Sequence, residues 1–261
     1  MISGIDHLVI LVPKLDDAMD AYRKLGFQVL PGGEHPYGTH NALVPFQDGS
    51  YLELIAFQDP TKHHDHRWYR FLNQPGLVDF AVVAANVEDE LVRIREEAGV
   101  AYQDVKPGAR KRPDGVQLEW RTLPPEDTRT GELPFLIDDV TDRTLRVPGG
   151  DEATHENNIT GIRKLVVAVR ELDEAVTEYN AVFGRDATLD KDEELGADTA
   201  TYYCGEHQIV LAYPTTPSSP LVRRIQQGGD GPFEVTFTAE ESIITRELNP
   251  AETGGVRMIV E

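Results

Sequence analysis

The segment Gly4-Ile5-Asp6-His7-Leu8-Val9-Ile10-Leu11-Val12, followed by Leu15-Asp16-Asp17-Ala18 and Tyr22, is written a second time as Gly161-Ile162-Arg163-Lys164-Leu165-Val166-Val167-Ala168-Val169, followed by Leu172-Asp173-Glu174-Ala175 and Tyr179. The spacing is constant, since 161 − 4 and 179 − 22 both give 157. One strand-turn-helix unit is therefore used twice, and the chain must fold as two related halves. The copies are not chemically equal. His7 is answered by Lys164, so a position able to ligate metal in the first half carries a cation in the second, and metal chemistry is expected only in the N-terminal half.

A chain of 261 residues is long enough for two domains that each bury a core. Apolar runs such as Leu8–Val12 and Ile209–Ala212 are strand-sized, far short of a bilayer span. The chain passes from Met1-Ile2-Ser3 directly into a strand, with no basic segment or small-residue cleavage site, which predicts a cytoplasmic protein. The single Cys204 has no cysteine partner for a disulfide or a thiolate zinc cluster. Forty-five acidic against 25 basic residues give a formal charge of −20. That surplus repels phosphate backbones and argues against nucleic acid or an anionic membrane as partner.

Residues 6–12 read as a strand, and Ala18, Tyr22 and Leu25 place a helix over Asp16–Leu25 that Gly26 ends. Strands over Phe27–Leu30, Asn41–Phe46 and Ser50–Phe57 follow, the last two joined by Gln47-Asp48-Gly49. This gives βαβββ. After the histidine-bearing loop 58–66, a second unit is expected from strand Leu77–Ala84, helix Val87–Ala98 closed by Gly99, and strands near 100–105, Val116–Arg121 and Phe135–Asp138. A third spans 161–213, with helix Leu172–Phe183 capped by Gly184 and strands Thr199–Cys204 and Gln208–Tyr213. The fourth is abbreviated to strands Phe233–Thr238 and Val256–Val260, with Ile243–Leu248 left for a helix between them. The expected domains are 1–140 and 161–261, joined by a polar linker over 141–160 that carries Pro148-Gly149-Gly150.

Four such units in two pairs, whose first strands read Gly-x-x-His, Gly-x-x-Asp, Gly-x-x-Lys and Gly-x-x-Glu, resemble the glyoxalase-like, vicinal oxygen chelate superfamily over nearly the whole chain. Gly38-Thr39-His40-Asn41, Asp48-Gly49-Ser50-Tyr51-Leu52-Glu53-Leu54-Ile55-Ala56, Arg112-Pro113-Asp114-Gly115 and Pro134-Phe135-Leu136-Ile137 are similar to a branch described only as glyoxalase-like domain proteins. The resemblance implies an α+β fold: tandem βαβββ units forming two cupped, mixed β-sheets with helices outside. Two units curl around a shared cleft, with metal held by inward residues of the first and last strands. Those places fall on His7, Glu53, Asp79 and Phe135, of which Phe135 cannot ligate. The implied cofactor is a divalent ion (Zn, Mn, Ni or Fe), weakly held, or none.

Glu53 lies in an apolar strand, where an unpaired carboxylate is costly to bury and a metal would supply the partner. The competing reading puts Glu53 on an edge facing solvent and makes His7 a hydrogen-bonded core residue. His40, a residue type suited to proton transfer, and Glu53 are the candidate catalytic acid and base. Asn41, Tyr51 and Arg112 are the expected substrate contacts, the last through its planar donor fork. His63-His64-Asp65-His66 sits outside the family's ligand positions and reads as a solvated loop. Cys204 reads as core. Matching Gly205 to Gly49 places Ile209 opposite Glu53, so Lys164 and Ile209 leave the second half without a ligand pair; Lys164 and Glu234 are expected to pair with each other instead.

No Gly-rich phosphate loop, Gly-x-Ser-x-Gly elbow or His-Glu-x-x-His helix occurs in the sequence. The leading expectation is a metal-assisted lyase or isomerase acting on a small, oxygen-rich substrate in the N-terminal cleft. The alternatives are a metal-free protein that sequesters a small molecule and an extradiol-type dioxygenase. Paired units in one chain already supply what single-pair relatives obtain by dimerising, so a monomer or weak homodimer is expected.

Overall fold

The computed structural model describes residues 2–96, 100–240 and 245–261. Its first unit runs β1 (Ile2–Leu11), α1 (Leu15–Lys24), β2 (Leu30–Glu34), β3 (Thr39–Pro45) and β4 (Tyr51–Phe57). Its second runs β5 (Gly76–Ala84), α2 (Val87–Glu96), β6 (Lys106–Lys111), β7 (Gln117–Leu123) and β8 (Phe135–Asp139). A short helix, α3 (Arg143–Arg146), leads to the second half. That half contains β9 (Ile159–Ala168), α4 (Leu172–Phe183), β10 (Thr188–Asp192), β11 (Ala197–Cys204), β12 (His207–Pro214), α5 (Pro220–Gly228), β13 (Gly231–Ala239), β14 (Arg246–Glu247) and β15 (Arg257–Val260).

The strand order of the first half is β1-β4-β3-β2-β6-β7-β8-β5, closed into a barrel. β1 runs parallel to β4 and antiparallel to β5, and β5 runs parallel to β8. The far seam between β2 and β6 is closed by the single pair Glu34↔Lys111. The second half is an open seven-stranded sheet, β10-β11-β12-β9-β13-β15-β14. Its β9-β12-β11-β10 run repeats β1-β4-β3-β2, as the duplicated sequence predicts.

β1 is buried on both faces, which is why it reads as a nearly continuous apolar run. Leu8 and Ile10 point outward into a core shared with the second half, whereas Val9 and Leu11 point into the barrel. α1 buries Leu15, Met19 and Tyr22, one stripe at helical spacing, with Asp16 and Asp17 in its first turn and Arg23 and Lys24 in its last, as the helix dipole favours. α4 ends on Gly184 in the left-handed conformation, whose N–H returns to the Asn180 carbonyl. Phe27 and Phe46 from the first half meet Phe237 from the second, so barrel exterior, helices and second sheet share one hydrophobic core.

Two expectations are corrected. Residues 100–105 make only the isolated bridge Tyr102↔Pro125, and the strand there is β6, which pairs with β7 despite its polar sequence. The region given to a helix in the fourth unit holds β14 at 246–247, with 243–244 outside the described residues. A helix does occur in the second half's inner face, but it is α5, started by Ser219, which accepts from the Leu221 N–H, and by Pro220 in the first turn. α2 is described to Glu96; the expected closing residues Ala98 and Gly99 lie outside the described residues.

Candidate functional site

The barrel encloses a cavity of about 480 Å³ whose wall includes His7, Asn41, Tyr51, Glu53, Arg110 and Phe135. Register places these side chains together. His7 pairs with Tyr51 and Val9 with Glu53 across the parallel β1/β4 ladder, and His7 pairs with Ala81, which in turn pairs with Phe135 of β8. The imidazole lies stacked on Tyr51 at 4.6 Å between centroids and meets the edge of Phe135 at 5.3 Å.

A β-bulge explains why both Asp6 and His7 turn inward. Between Ile5↔Val82 and His7↔Ala81 the first strand carries one residue more than its partner, and the extra residue is Asp6. Its Oδ1 lies 2.6 Å from His7 Nδ1. Arg146 donates to both oxygens of Asp6, each at 2.9 Å, and Arg143 adds a further ion pair. Burial works to raise the Asp6 carboxyl, but the Arg146 guanidinium and His7 outweigh it and hold the group well below the usual carboxylate range. An ionised carboxylate only accepts, so His7 donates from Nδ1 and aims Nε2 at Glu53.

Glu53 Oε2 stands 3.6 Å from His7 Nε2, while Oε1 accepts from Asn41 Nδ2 at 2.6 Å. Glu53 is 6% exposed and therefore faces the cavity rather than solvent. His35, another residue that sequence reasoning missed, puts Nε2 4.0 Å from Glu53 Oε1; burial holds its imidazole below the usual histidine range. Strand alternation sends Asn41 into the cavity and leaves its neighbour His40 out of the cavity wall.

The loop after β4 lies across the cavity instead of standing in solvent. Asp65, His66, Arg67 and Trp68 all contribute to its wall. His66 caps the short helical segment 67–71 by accepting from the Trp68 N–H, and burial together with Arg67 pushes its imidazole down to about 4. Asp79 is already engaged, accepting from Trp68 Nε1 at 2.7 Å and pairing with Arg67 at 3.0 Å. Burial nonetheless pushes its carboxyl up, with Arg67 offsetting part of the effect. Arg67 also lies 4.2 Å over the Phe135 ring. Arg112 points away from the barrel interior: it pairs with Asp114 and lines a shallower outer groove of about 250 Å³. Cys204 is buried, which pushes its thiol up to about 11, outside the range of a reactive thiolate.

One ion could touch both His7 Nε2 and Glu53 Oε2. The third place is taken by the Asp79–Arg67–Trp68 cluster, however, and the fourth is Phe135. Among the described residues no group of three or more histidine, cysteine or acidic side chains could hold a metal. His7 and Glu53, with His35 on the other side of Glu53 and several guanidinium groups around them, are not arranged as a metal-holding group of three and do not fit a resident divalent ion.

In the second half, β12 aligns with β9 so that Val166 pairs with Val210, as Val9 pairs with Glu53. The structural equivalent of Glu53 is therefore Val210, one residue beyond the Ile209 that the glycine match selects. Ile209 faces the opposite, shared core, because a slip of one residue reverses the face. Glu234 pairs with Arg257 at 2.6 Å rather than directly with Lys164.

A glyoxalase-like domain family model matches residues 5–183. No functionally curated protein matches the sequence. Among solved structures, a hypothetical protein from Staphylococcus aureus is similar over 99% of this chain and 98% of its own, with a TM-score of 0.74 and 13% identity. A mutant of 4-hydroxymandelate synthase from Streptomyces coelicolor is similar over 96% of this chain and 78% of its own, with a TM-score of 0.62 and 15% identity. Both likenesses concern the fold alone. Methylmalonyl-CoA epimerase from Mycobacterium tuberculosis aligns with 40% of this chain and 87% of its own, at a TM-score of 0.36 and 18% identity. With the repeated strand order and the family match in agreement, the chain belongs to the glyoxalase-like domain family of the vicinal oxygen chelate superfamily.

Proposed function

We propose that the N-terminal barrel is the active site of an isomerase or lyase that moves a proton on a small, oxygen-rich substrate, with Glu53 as the base. The observation that carries this reading is a carboxylate buried in an otherwise apolar strand and facing a cavity, with one oxygen held by Asn41 and the other directed toward His7. Burying a carboxylate is costly, and a purely structural position would be filled by an apolar residue such as the Val210 of the second half.

Glu53 takes a proton from a carbon next to a carbonyl and returns it to the same carbon from the other side or to its neighbour. Asn41 fixes the rotamer, so the base meets the substrate in one orientation. His7 is clamped by Asp6 and stacked on Tyr51, and it places a polar ring nitrogen opposite the base. Phe135 and Tyr51 form apolar walls that exclude water from the carbanion. The chain's own side chains carry the proton transfer.

The test is solvent deuterium incorporation, followed by NMR, into a panel of small 2-oxo acids, 2-hydroxy acids and vicinal dicarbonyl compounds. The wild type should label one class of substrate, and Glu53→Gln should not, while circular dichroism shows an unchanged fold. Binding of panel members without any exchange would overturn the enzyme reading in favour of a sequestering protein.

A further inference from the structure

We infer that Arg110 forms a carboxylate-binding subsite in the barrel, so that the molecule received there is a small monocarboxylate. This deepens the proposed function and rests on it for the placement of the reacting carbon, although the anion site stands on separate observations. Arg110 is 4% exposed and stands between the outer groove and the barrel cavity, whose wall it shares with Glu53. A guanidinium stays charged in a protein and offers five N–H donors. The only hydrogen bond it makes among the described residues is to the Arg146 carbonyl at 3.2 Å. Two other guanidinium groups of the cavity wall are matched: Arg146 by Asp6 and Asp139, Arg67 by Asp79. No carboxylate of the described residues lies within ion-pairing distance of Arg110. Burial draws its guanidinium down, with Tyr51 and Glu53 only partly offsetting this.

The backbone is shaped around this group. A Cβ added at Gly32 would fall 2.8 Å from Arg110 Nη1 and 2.0 Å from Asn41 Oδ1, so the absent side chain leaves the space these two groups occupy. A buried cation lacking its anion is expensive unless an anion arrives. A planar carboxylate matches the guanidinium fork and supplies the missing charge. With the carboxylate on Arg110, the adjacent C–H faces Glu53. When Glu53 removes that proton, the electron pair of the C–H bond is delocalised onto the neighbouring oxygens, where Arg110 offsets the new negative charge.

Calorimetry with pyruvate, lactate and benzoate, each beside its neutral amide, tests the subsite on the full chain. At least one carboxylate should bind the wild type, and its amide should bind about 10- to 100-fold more weakly, as expected for a lost charge-assisted pair. Arg110→Met should weaken the carboxylate by a similar factor and leave the amide unchanged. Arg110→Lys should retain part of the binding, while Arg112→Ala in the outer groove should retain it all. Thermal melts of each variant separate lost binding from lost fold, and if Arg110→Met unfolds, Arg110→Lys and the amide comparison still decide. Equal affinity for carboxylate and amide, sulfate binding as tightly as carboxylate, or no binding by any of the anions overturns the proposal. Carboxylate binding should survive in Glu53→Gln, so a failure of the proton-transfer reading leaves a distinct result from a failure of the anion site.

Discussion

On the inner face of the first half, β1 and β4 present His7, Tyr51 and Glu53; at the equivalent places in the second half, β9 and β12 present Lys164, Gln208 and Val210. The strand order is the same. The difference lies in what covers that face. Between β4 and β5 the chain lays the short helical segment 67–71 at the mouth of a polar cavity, with Arg67 and Trp68 reaching Asp79. Between β12 and β13 it forms α5 instead, whose Leu221 and Ile225 pack on Val166, Ala168, Val210 and Ala212. One scaffold thus keeps a cavity lined by charged and polar side chains and fills the other copy with apolar atoms. The comparison shows that retaining the strands does not retain the site, because the connecting segment decides whether a cavity exists.

The largest test of this contrast is catalytic. Glu53→Gln should lower turnover by roughly 10²- to 10⁴-fold, the range for loss of a general base, whereas Glu234→Gln in the second half should leave the rate unchanged. A comparable loss from Glu234→Gln would break the assignment of chemistry to one half.

Next in size is the support beneath His7. Arg146→Met leaves the buried Asp6 with only the more exposed Arg143 beside it and should cost about 3 kcal/mol in urea denaturation, the low end for breaking a buried pair. Arg257→Met, whose side chain is 28% exposed beside Glu234, should cost roughly 1–2 kcal/mol after solvent screening. Equal costs would mean that the two ion pairs are equally buried in solution. Leu221→Ala, which truncates the filling of the second half, should cost about 2–3 kcal/mol by the same measurement and confer no carboxylate binding.

The smallest effect is a pH dependence of opposite sign in the two halves. Asp6 has a folded pKa below its unfolded value, so its contribution is present above the ordinary carboxylate range, near pH 4, and disappears as pH falls through the folded value. Glu234 is pushed up by burial, with Arg257 and Lys164 offsetting part of that rise. Its contribution is complete below about pH 4 and is lost as pH rises through the folded pKa. Relative to wild type, Asp6→Asn should therefore fall behind as pH rises toward about 4 and stay behind above it, whereas Glu234→Gln should gain only as pH rises beyond about 4. Unfolding free energies measured from pH 3 to 7 would separate the two, and parallel curves would sink the prediction.

The strand order was readable because the repeat spacing of 157 carries through both halves, and Glu53 was conspicuous as the lone charge in Tyr51–Phe57. β6 escaped notice because Lys-Pro-Gly-Ala-Arg-Lys has neither alternation nor β-branched residues; its strand conformation comes from barrel closure. α5 was announced by Ser219-Pro220 and could have been found from that cap. The Asp6–Arg146 pair could not. Its members are 140 residues apart in sequence, and a bulge, invisible in a strand pattern, turns Asp6 inward. Arg110 and Arg112 share the same local composition, and only the fold separates Arg110, which reaches the barrel cavity as well as the outer groove, from Arg112, which lines the groove alone.

The position of α3 bears on how such a chain can be rearranged. Arg143 and Arg146 sit in the stretch that joins the two halves, yet they reach back to Asp6, and Arg143 also donates to the Gly49 carbonyl. A gene trimmed at residue 140 would encode every strand of the barrel while omitting the counterion that orients its histidine. Exchange of the first half between relatives therefore conserves the site only when the seam is cut beyond residue 146, and shuffling experiments that place the crossover earlier should recover folded lineages with a mispositioned imidazole.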